Sequence, residues 1–403
     1  MRIHDHPQAG YLHVPTTGPS ILAVPPYKCM FATPPDFPTT VDDMIKRGLP
    51  QLLLYITSFS DATLVSLVWP HTLSDGSGVL ALLQNWAHVL SGREEQVSPM
   101  LGAWKDVILE AENVEPEADR EPWAIEPMRL EGWPMLAWGL RYLWYWIRGP
   151  ALESRTVFLP HETGTKIKTQ VQKEIDSMPV DPAQKNFASE GDIFTAWVTH
   201  IVAASEPTKR PITIMAFYDL RRPVASAMNS GGLYIQNLLM LTYAFISPQL
   251  LRGPVGPVAV AHRHHLQQQT SPPQALACSR RHRLDLETTG RQRHLFGEPT
   301  SQAILFNNFL KTGYLTEVDF SAAVLRSGET AEKRNNPSGT PIVYSYRVDS
   351  APLDKVTSFY MLGKDHGGNY WFQGNLRPAA WSEMEKRLRQ LDAAAETPKV
   401  ENH

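Results

Sequence analysis

Apolar side chains dominate two short segments, residues 52–59 and 62–69, which are separated by a polar turn. This pattern predicts two neighbouring β-strands. In the second segment both alternating sets of side chains are largely apolar, which is typical of a strand buried on two faces, so we expect it to lie centrally in its sheet. Pro70 removes a backbone donor and ends the strand, and this presents His71 at the strand tip.

The apolar spacing changes to three and four residues directly after this histidine. Val79, Leu82, Leu83 and Trp86 recur at helical spacing, and Gly92 is a natural end for the helix. A histidine between a strand and a helix can face a cleft and act as a base near neutral pH. The alternative, a structural histidine hydrogen-bonded at a strand end, is more common for an isolated histidine.

Strands and helices alternate along the rest of the chain. Ser189 precedes Asp192 at the spacing of a helix cap, and a helical apolar pattern follows. Residues 110–126 are acidic and predict a solvated surface loop. The remaining periodic segments predict strands at residues 155–159, 212–218 and 369–376 and helices at residues 162–175, 257–269 and 381–391.

Composition limits the size, compartment and partners of the protein. A chain of 403 residues exceeds the usual size of one hydrophobic core, so two domains or two fused halves are expected. The 38 basic and 41 acidic residues nearly cancel, and this gives no reason to expect a nucleic-acid partner. Cys29 and Cys278 are too few for a disulfide framework, and the N-terminus has no apolar leader segment. A cytoplasmic protein is therefore expected.

Residues 134–147 are unusually rich in tryptophan, tyrosine and leucine. The segment spans 14 residues and includes Arg141. It is shorter than the ~20 residues that a membrane-spanning helix needs. We therefore expect a packed or interfacial helix and no transmembrane segment, with peripheral membrane contact as the alternative.

Histidines and arginines cluster between residues 262 and 293. His262, His264 and His265 suggest a metal site, but no carboxylate or cysteine completes a ligand set at metal spacing, so no metal is predicted. A solvated basic helix and loop is the favoured interpretation. Contact with the phosphates of a nucleotide-bearing cofactor is the alternative.

Several short motifs follow one another along the chain. The first is H-x-x-x-D-G, from His71 to Gly76. The others are Asp219-Leu220-Arg221, Tyr234-Ile235-Gln236-Asn237, Asn307-Asn308-Phe309, Val318-Asp319-Phe320-Ser321 and residues 364–371. In this order they resemble the signature segments of the BAHD acyltransferases, in particular their fungal branch, within the wider chloramphenicol acetyltransferase and condensation-domain superfamily. The resemblance covers nearly the whole chain.

The resemblance implies a fold and an activity. The expected fold is α/β in two pseudo-equivalent chloramphenicol acetyltransferase-like halves, residues 1–188 and 189–403. Each half is a mixed sheet flanked by helices, and the active-site channel lies between them. The implied reaction moves an acyl group from acyl-CoA, a co-substrate and not a permanently bound cofactor, to a hydroxyl of a small-molecule acceptor in secondary metabolism. An amine acceptor is less favoured.

The resemblance also implies residue roles. His71 would be the general base, and Asp75 would turn away from the substrate and pair with Arg221 as structural support. The residues themselves leave Asp75 open as a simple cap of the following helix. Asn308 would lie near the reacting carbonyl, where it could donate to the oxyanion, and an ordinary loop asparagine is the alternative. Gly76 would allow close backbone approach behind His71.

Departures from the family pattern keep two further classes open. His71 lies nearer the N-terminus than in the family, and Gly10 to Pro15 resemble a region that a strand and a helix precede there, so the opening elements are expected to be missing. A truncated, inactive relative that binds only a ligand or partner is therefore one alternative. The second is a condensation-type amide former that uses a carrier protein, although Pro70 stands where the first histidine of that family belongs.

Overall fold

The computed structural model describes most of the chain. The described residues are 1–7, 12, 15–24, 36–38, 40–114, 120–179, 185–221, 223–224, 232–292, 294–326, 328, 336–345 and 356–396. Residues 10–15, which carry the expectation about the N-terminus, lie largely outside this set, as does Cys29.

Strands and helices alternate as predicted. The strands are β1 (Ser20–Ala23), β2 (Leu53–Ser58), β3 (Thr63–Val68), β4 (Glu153–Leu159), β5 (Ile212–Asp219), β6 (Leu239–Ile246), β7 (Gln302–Asn308), β8 (Ser358–Lys364) and β9 (Tyr370–Leu376). The helices are α1 (Val41–Lys46), α2 (Gly76–Leu90), α3 (Val107–Val114), α4 (Gly132–Arg148), α5 (His161–Asp176), α6 (Glu190–Ser205), α7 (Val255–Gln269), α8 (Pro272–Thr289) and α9 (Pro378–Glu396).

A seven-stranded mixed sheet organises the molecule, in the order β1-β4-β9-β8-β7-β5-β6. Strands β5, β7 and β8 run parallel to their neighbours in this group, and the other pairings are antiparallel. The predicted α/β class, with a mixed sheet flanked by helices, is confirmed. The sheet takes β1 and β4 from residues 1–188 and the other strands from residues 189–403, and the domain boundary itself stays a prediction.

The main core lies between one face of this sheet and helices α5, α6, α7 and α9. Ile167, Phe194, Val258 and Trp381 represent the four helices in this cluster and are almost fully buried. Helix α6 begins with the predicted cap, because Ser189 and Asp192 exchange side-chain and backbone hydrogen bonds. This core fixes the strand ends that surround the candidate site.

The hairpin of β2 and β3 departs from the sequence prediction. The two strands form at the predicted positions, but they pair only with each other among the described residues. Leu54, Ile56 and Val65 are between 40% and 51% exposed. The expectation of a central strand is therefore wrong. An apolar pattern shows that both faces of a strand could be buried, but it does not show that another element packs against them.

The acidic segment at residues 110–126 is also more buried than expected. It includes the second half of α3, and Trp123 and Ile125 pack in a second core with α8. Glu112 is buried and accepts a hydrogen bond from Arg283 on α8 at 3.1 Å. The predicted solvated loop is wrong for these residues, because Arg283 satisfies the charge of Glu112. Residues 115–119 of the segment lie outside the described residues, and residues 120–122 are exposed as predicted.

Helix α4, at the aromatic segment, packs through one side only. No residue of this helix is buried, and Trp133, Leu140, Trp144 and Ile147 are between 59% and 80% exposed on its outer face. None of the helices in the described ranges is both long and apolar enough to cross a membrane. Peripheral membrane contact stays a prediction.

Candidate active site

The loop between β3 and α2 carries His71 and is held by the segment that precedes β6. Asn237 donates its side-chain amide to the backbone carbonyl of His71 at 2.6 Å. The Ser74 hydroxyl donates to the carbonyl of Ile235 at 2.5 Å, and the Trp69 indole donates to the carbonyl of Ser74 at 2.9 Å. These bonds fix the backbone of the loop from both of its ends.

The imidazole of His71 itself is exposed and makes no hydrogen bond to the part of the chain that the structure describes. Its backbone is restrained while its ring is accessible. A ring with this combination can meet a substrate hydroxyl without first breaking an internal hydrogen bond.

Asp75 is 1% exposed and carries two structural functions at once. It is the N-cap of α2, where its Oδ1 accepts from the backbone of Gly78 at 2.9 Å. The same carboxylate forms a two-pronged ion pair with Arg221, with Oδ1 3.0 Å from Nη2 and Oδ2 3.1 Å from Nη1. Leu238 donates its backbone N–H to Oδ2 at 2.8 Å. The sequence alternatives, cap or ion pair, are therefore not exclusive.

Arg221 has no unused donor nitrogen. Its Nε donates to the carbonyl of Tyr234 at 2.9 Å, and Nη2 donates to the carbonyl of Gln236 at 2.7 Å. Nη1 also donates to Asp219 at the end of β5 at 3.0 Å. The guanidinium thereby joins the end of β5, the start of α2 and the segment before β6 into one unit.

Glycines are required where α2 meets this segment. A Cβ on Gly78 would lie 2.0 Å from the backbone oxygen of Ile235. A Cβ on Gly76 would lie 2.5 Å from the ring of Phe309. Only a residue without a side chain permits this close approach. Both positions therefore require glycine for the start of α2 to pack against Ile235 and Phe309.

Asn308 ends β7 next to the same helix start. Its side-chain oxygen accepts from the backbone of Leu310 at 3.0 Å, and its amide nitrogen lies against Gly191 in the first turn of α6. The following residue, Phe309, is buried against Gly76. The structure thus brings Asn308 to the neighbourhood of the α2 start, while the side chains of Asp75 and Arg221 bond each other and not His71.

The C-terminal ends of three parallel strands meet at this edge of the sheet. Asp219, Asn308 and Lys364 end β5, β7 and β8. A cavity of about 370 Å³ opens at the end of β8, and its lining includes Tyr314, Lys364 and His366. The Tyr314 hydroxyl donates to the carbonyl of Gly76, which connects the cavity wall to α2.

A network of charged side chains surrounds the first residue of α6. Glu190, the first residue of α6, accepts from Lys168 at 2.9 Å, from Lys364 at 2.7 Å and from the Tyr370 hydroxyl at 2.6 Å. Although burial acts to raise the pKa of the Glu190 carboxyl, the hydrogen bonds from these partners lower it to about 2. Burial, together with the bond to Glu190, raises the pKa of Tyr370 to about 12.

Sequence reasoning missed the residues that close the site. The loop is held by Ser74 and by the carbonyls of Tyr234, Ile235 and Gln236, but side-chain patterns in a sequence do not show which backbone carbonyls accept hydrogen bonds.

The sequence-based prediction of a solvated basic segment is wrong at His262. This residue is 3% exposed and lies 2.8 Å from Asp192, so it is buried and not solvated.

The absence of a metal site was predicted from ligand spacing. Among the described residues, no group of three or more histidine, cysteine, aspartate or glutamate side chains could hold a metal ion. The prediction itself stays untested.

Curated proteins resemble the chain over nearly its whole length. O-acetyltransferase PaAT-2 of Phomopsis amygdali is 28% identical over 401 residues, which cover 96% of this chain and 80% of that protein. Acetyltransferase sphE of Aspergillus fumigatus is 30% identical over 420 residues, which cover 98% of this chain and 80% of that protein. No protein-family profile matches the chain.

Solved structures resemble its fold. The crystal structure of TRI101 from F. graminearum, complexed with coenzyme A and deoxynivalenol, superposes with a TM-score of 0.60 at 14% identity. The superposition covers 89% of this chain and 79% of that one. At this identity the likeness shows a shared fold.

Proposed function

Because the chain belongs to the fungal BAHD-type acyltransferases, we propose that it transfers an acyl group from acyl-CoA to a hydroxyl of a small-molecule acceptor. The names of the relatives, an O-acetyltransferase and an acetyltransferase, support this reaction, and a bound coenzyme A in a structure of the same fold supports the donor. The acceptor belongs, on this proposal, to secondary metabolism.

His71 is the general base of the proposed reaction. Its imidazole takes the proton of the acceptor hydroxyl while that oxygen attacks the thioester carbonyl. The tetrahedral intermediate then collapses, the C–S bond breaks, and the imidazolium returns the proton to the leaving thiolate of coenzyme A. A positioned base of this kind typically contributes about 10²- to 10⁴-fold. The observation that carries the assignment is the restrained backbone and open ring of His71.

Asp75 acts as a positioning residue. All of its acceptor capacity is directed to Arg221, Gly78 and Leu238, so it cannot also orient the imidazole of His71. This arrangement supports a role in holding the loop and argues against a Ser-His-Asp type of triad.

Asn308 is the proposed donor to the oxyanion of the intermediate. It is exposed at the end of β7, and its side-chain oxygen is engaged by Leu310, which leaves the amide nitrogen beside Gly191 as the donor. Loss of such a donor typically lowers kcat by about 10²- to 10³-fold.

The test supplies the protein with acetyl-CoA or longer acyl-CoA esters and a panel of alcohols. Turnover is measured as the release of free thiol. We expect His71→Ala to lower kcat by at least about 10²-fold without a change in thermal stability, because the side chain is exposed. His4→Ala, at another highly exposed histidine, is the matched control and should keep full activity.

Each alternative has its own outcome in this assay. A wild-type chain that binds coenzyme A and turns over no ester would be the inactive relative. Activity with an acyl group on a carrier protein and an amine, but not with acyl-CoA and an alcohol, would identify the amide-forming class. Undiminished turnover by His71→Ala would remove the histidine from the chemistry.

A further inference from the structure

A second cavity, of about 390 Å³, lies between α4 and the sheet. Its lining includes Arg210, Gln302 and Thr357, which stand at the N-terminal ends of β5, β7 and β8. Because these strands are parallel, their N-terminal ends share one edge of the sheet, and the proposed active site lies at the other. A strand of seven or eight residues rises about 3.3 Å per residue, so the two edges are roughly 25 Å apart.

One wall of this cavity is an aromatic surface on α4. The rings of Trp138 and Tyr142 stack on each other, with centroids 5.2 Å apart and planes inclined by 8°, so each covers one face of the other. Tyr145 and Trp146 also line the cavity. An aromatic wall favours ligands with planar rings, because ring contacts and apolar burial act together.

The cavity also carries an excess of positive charge. Arg141, Arg210 and Arg377 line the cavity. Their closest carboxylate among the described residues is Glu206, which lies 3.9 Å from Arg210. The Tyr145 hydroxyl also donates to this carboxylate, so among the described residues one nearby carboxylate stands against three guanidinium groups.

Arg210 retains donor capacity. Its guanidinium lies over the Tyr145 ring at 4.8 Å, and the long contact to Glu206 is its one ion pair in the described part of the chain. Arg377 is more fully used, because it donates to the carbonyl of Tyr145 at 2.8 Å and lies over the same ring at 3.5 Å. Arg141 donates to the carbonyl of Pro299 at 2.6 Å.

We propose that this cavity binds a planar organic anion, an aromatic carboxylate with a ring system of about naphthalene size. The ring packs against the aromatic side chains of α4, and the carboxylate accepts from the guanidinium groups, chiefly that of Arg210. The volume falls in the range of small-molecule pockets, about 300–1,000 Å³. The site is separate from the proposed active site and does not depend on the assignment of His71.

The experiment titrates the full chain with 2-naphthoate and, in parallel, with the neutral 2-naphthalenemethanol, by isothermal calorimetry. We expect one naphthoate per chain, bound at least about ten-fold more tightly than the alcohol. Arg210→Gln should weaken naphthoate by about ten-fold and leave the alcohol unchanged. Trp138→Leu should weaken both.

Matched controls separate this site from others. Trp144→Leu alters the outer face of α4, where this residue is 60% exposed, and should leave binding unchanged. His71→Ala should also bind the probe normally. Equal binding of the two probes, loss of binding in Trp144→Leu, an unaffected Arg210→Gln, or displacement of naphthoate by coenzyme A would each overturn the proposal.

Discussion

Strand β5 has an arginine near each end, and the two differ in how their donors are used. Arg221, at the C-terminal end, donates from every nitrogen and holds a buried carboxylate. Arg210, at the other end, has one long ion pair and an aromatic ring. A saturated guanidinium serves the fold, because nothing remains for a ligand, whereas an unsaturated one beside a cavity can serve binding. The same residue type is thus structural at one edge and available at the other.

The largest expected effect comes from removing the saturated arginine. Arg221→Ala leaves the buried carboxylate of Asp75 without its partner, and the loss of one member of a buried pair typically costs about 3–5 kcal/mol. Urea unfolding monitored by tryptophan fluorescence measures this loss. Arg210→Ala is the control and should change the free energy of unfolding by less than about 1 kcal/mol. Similar losses of unfolding free energy in both variants would contradict the distinction between a structural arginine at one edge and an available arginine at the other.

Two glycine substitutions extend the comparison to the helices beside these edges. Gly78→Ala forces a methyl group against the oxygen of Ile235, and overpacking of this kind typically costs about 1–3 kcal/mol. Gly139 lies within α4, where an added Cβ meets nothing within 4 Å. Gly139→Ala should therefore stabilise by up to about 1 kcal/mol through helix propensity. Thermal unfolding of the two variants should shift in opposite directions.

Helix α6 carries a carboxylate at each end, and the pKa values of the two carboxyls shift in opposite directions. The folded pKa of Glu190 is about 2, below its ordinary 4.5. A lowered carboxyl pKa stabilises the fold above the unfolded value, and this contribution is lost as the pH falls from about 4.5 through about 2. Glu190→Gln should lose about 1–2 kcal/mol at pH 7, because charge-assisted hydrogen bonds are replaced by neutral ones. A pH series of urea midpoints should show the difference from wild type disappearing in acid.

The smallest effect is expected at the other end of the same helix. The pKa of Glu206 is raised by burial above its ordinary 4.5, and the position at the helix C-terminus acts in the same direction. For a raised carboxyl pKa the stability is fully present below pH 4.5 and is lost as the pH rises through the folded value. Glu206→Gln should therefore change stability at pH 7 by no more than about 0.5 kcal/mol, or increase it slightly. A large loss at pH 7 would mean that the carboxylate is needed in its charged form.

The sequence predicted the local framework of the site better than its environment. The strand before Pro70, the helix after Asp75 and the cap at Ser189 follow from short-range patterns, and the structure has them. The encounter of Asp75 with Arg221 spans 146 positions and was expected only from the resemblance to a family. Burial of Trp123 and His262 could not be predicted, because it depends on α8 and α6 supplying partners that no local pattern specifies.

The position of β9, the last strand in the sequence, determines when the sheet can be completed during synthesis. Strand β9 inserts between β4 and β8 and pairs Leu159 with Tyr370, so most of the protein is synthesised before these neighbours can join. Until then β4 presents an open edge, and long-range pairing of this kind is slow and exposed to aggregation. We expect ribosome-bound chains that end before residue 370 to be digested rapidly by protease, and chains released at full length to become resistant. An unpaired strand that waits during translation is the kind of surface that chaperone holdases cover.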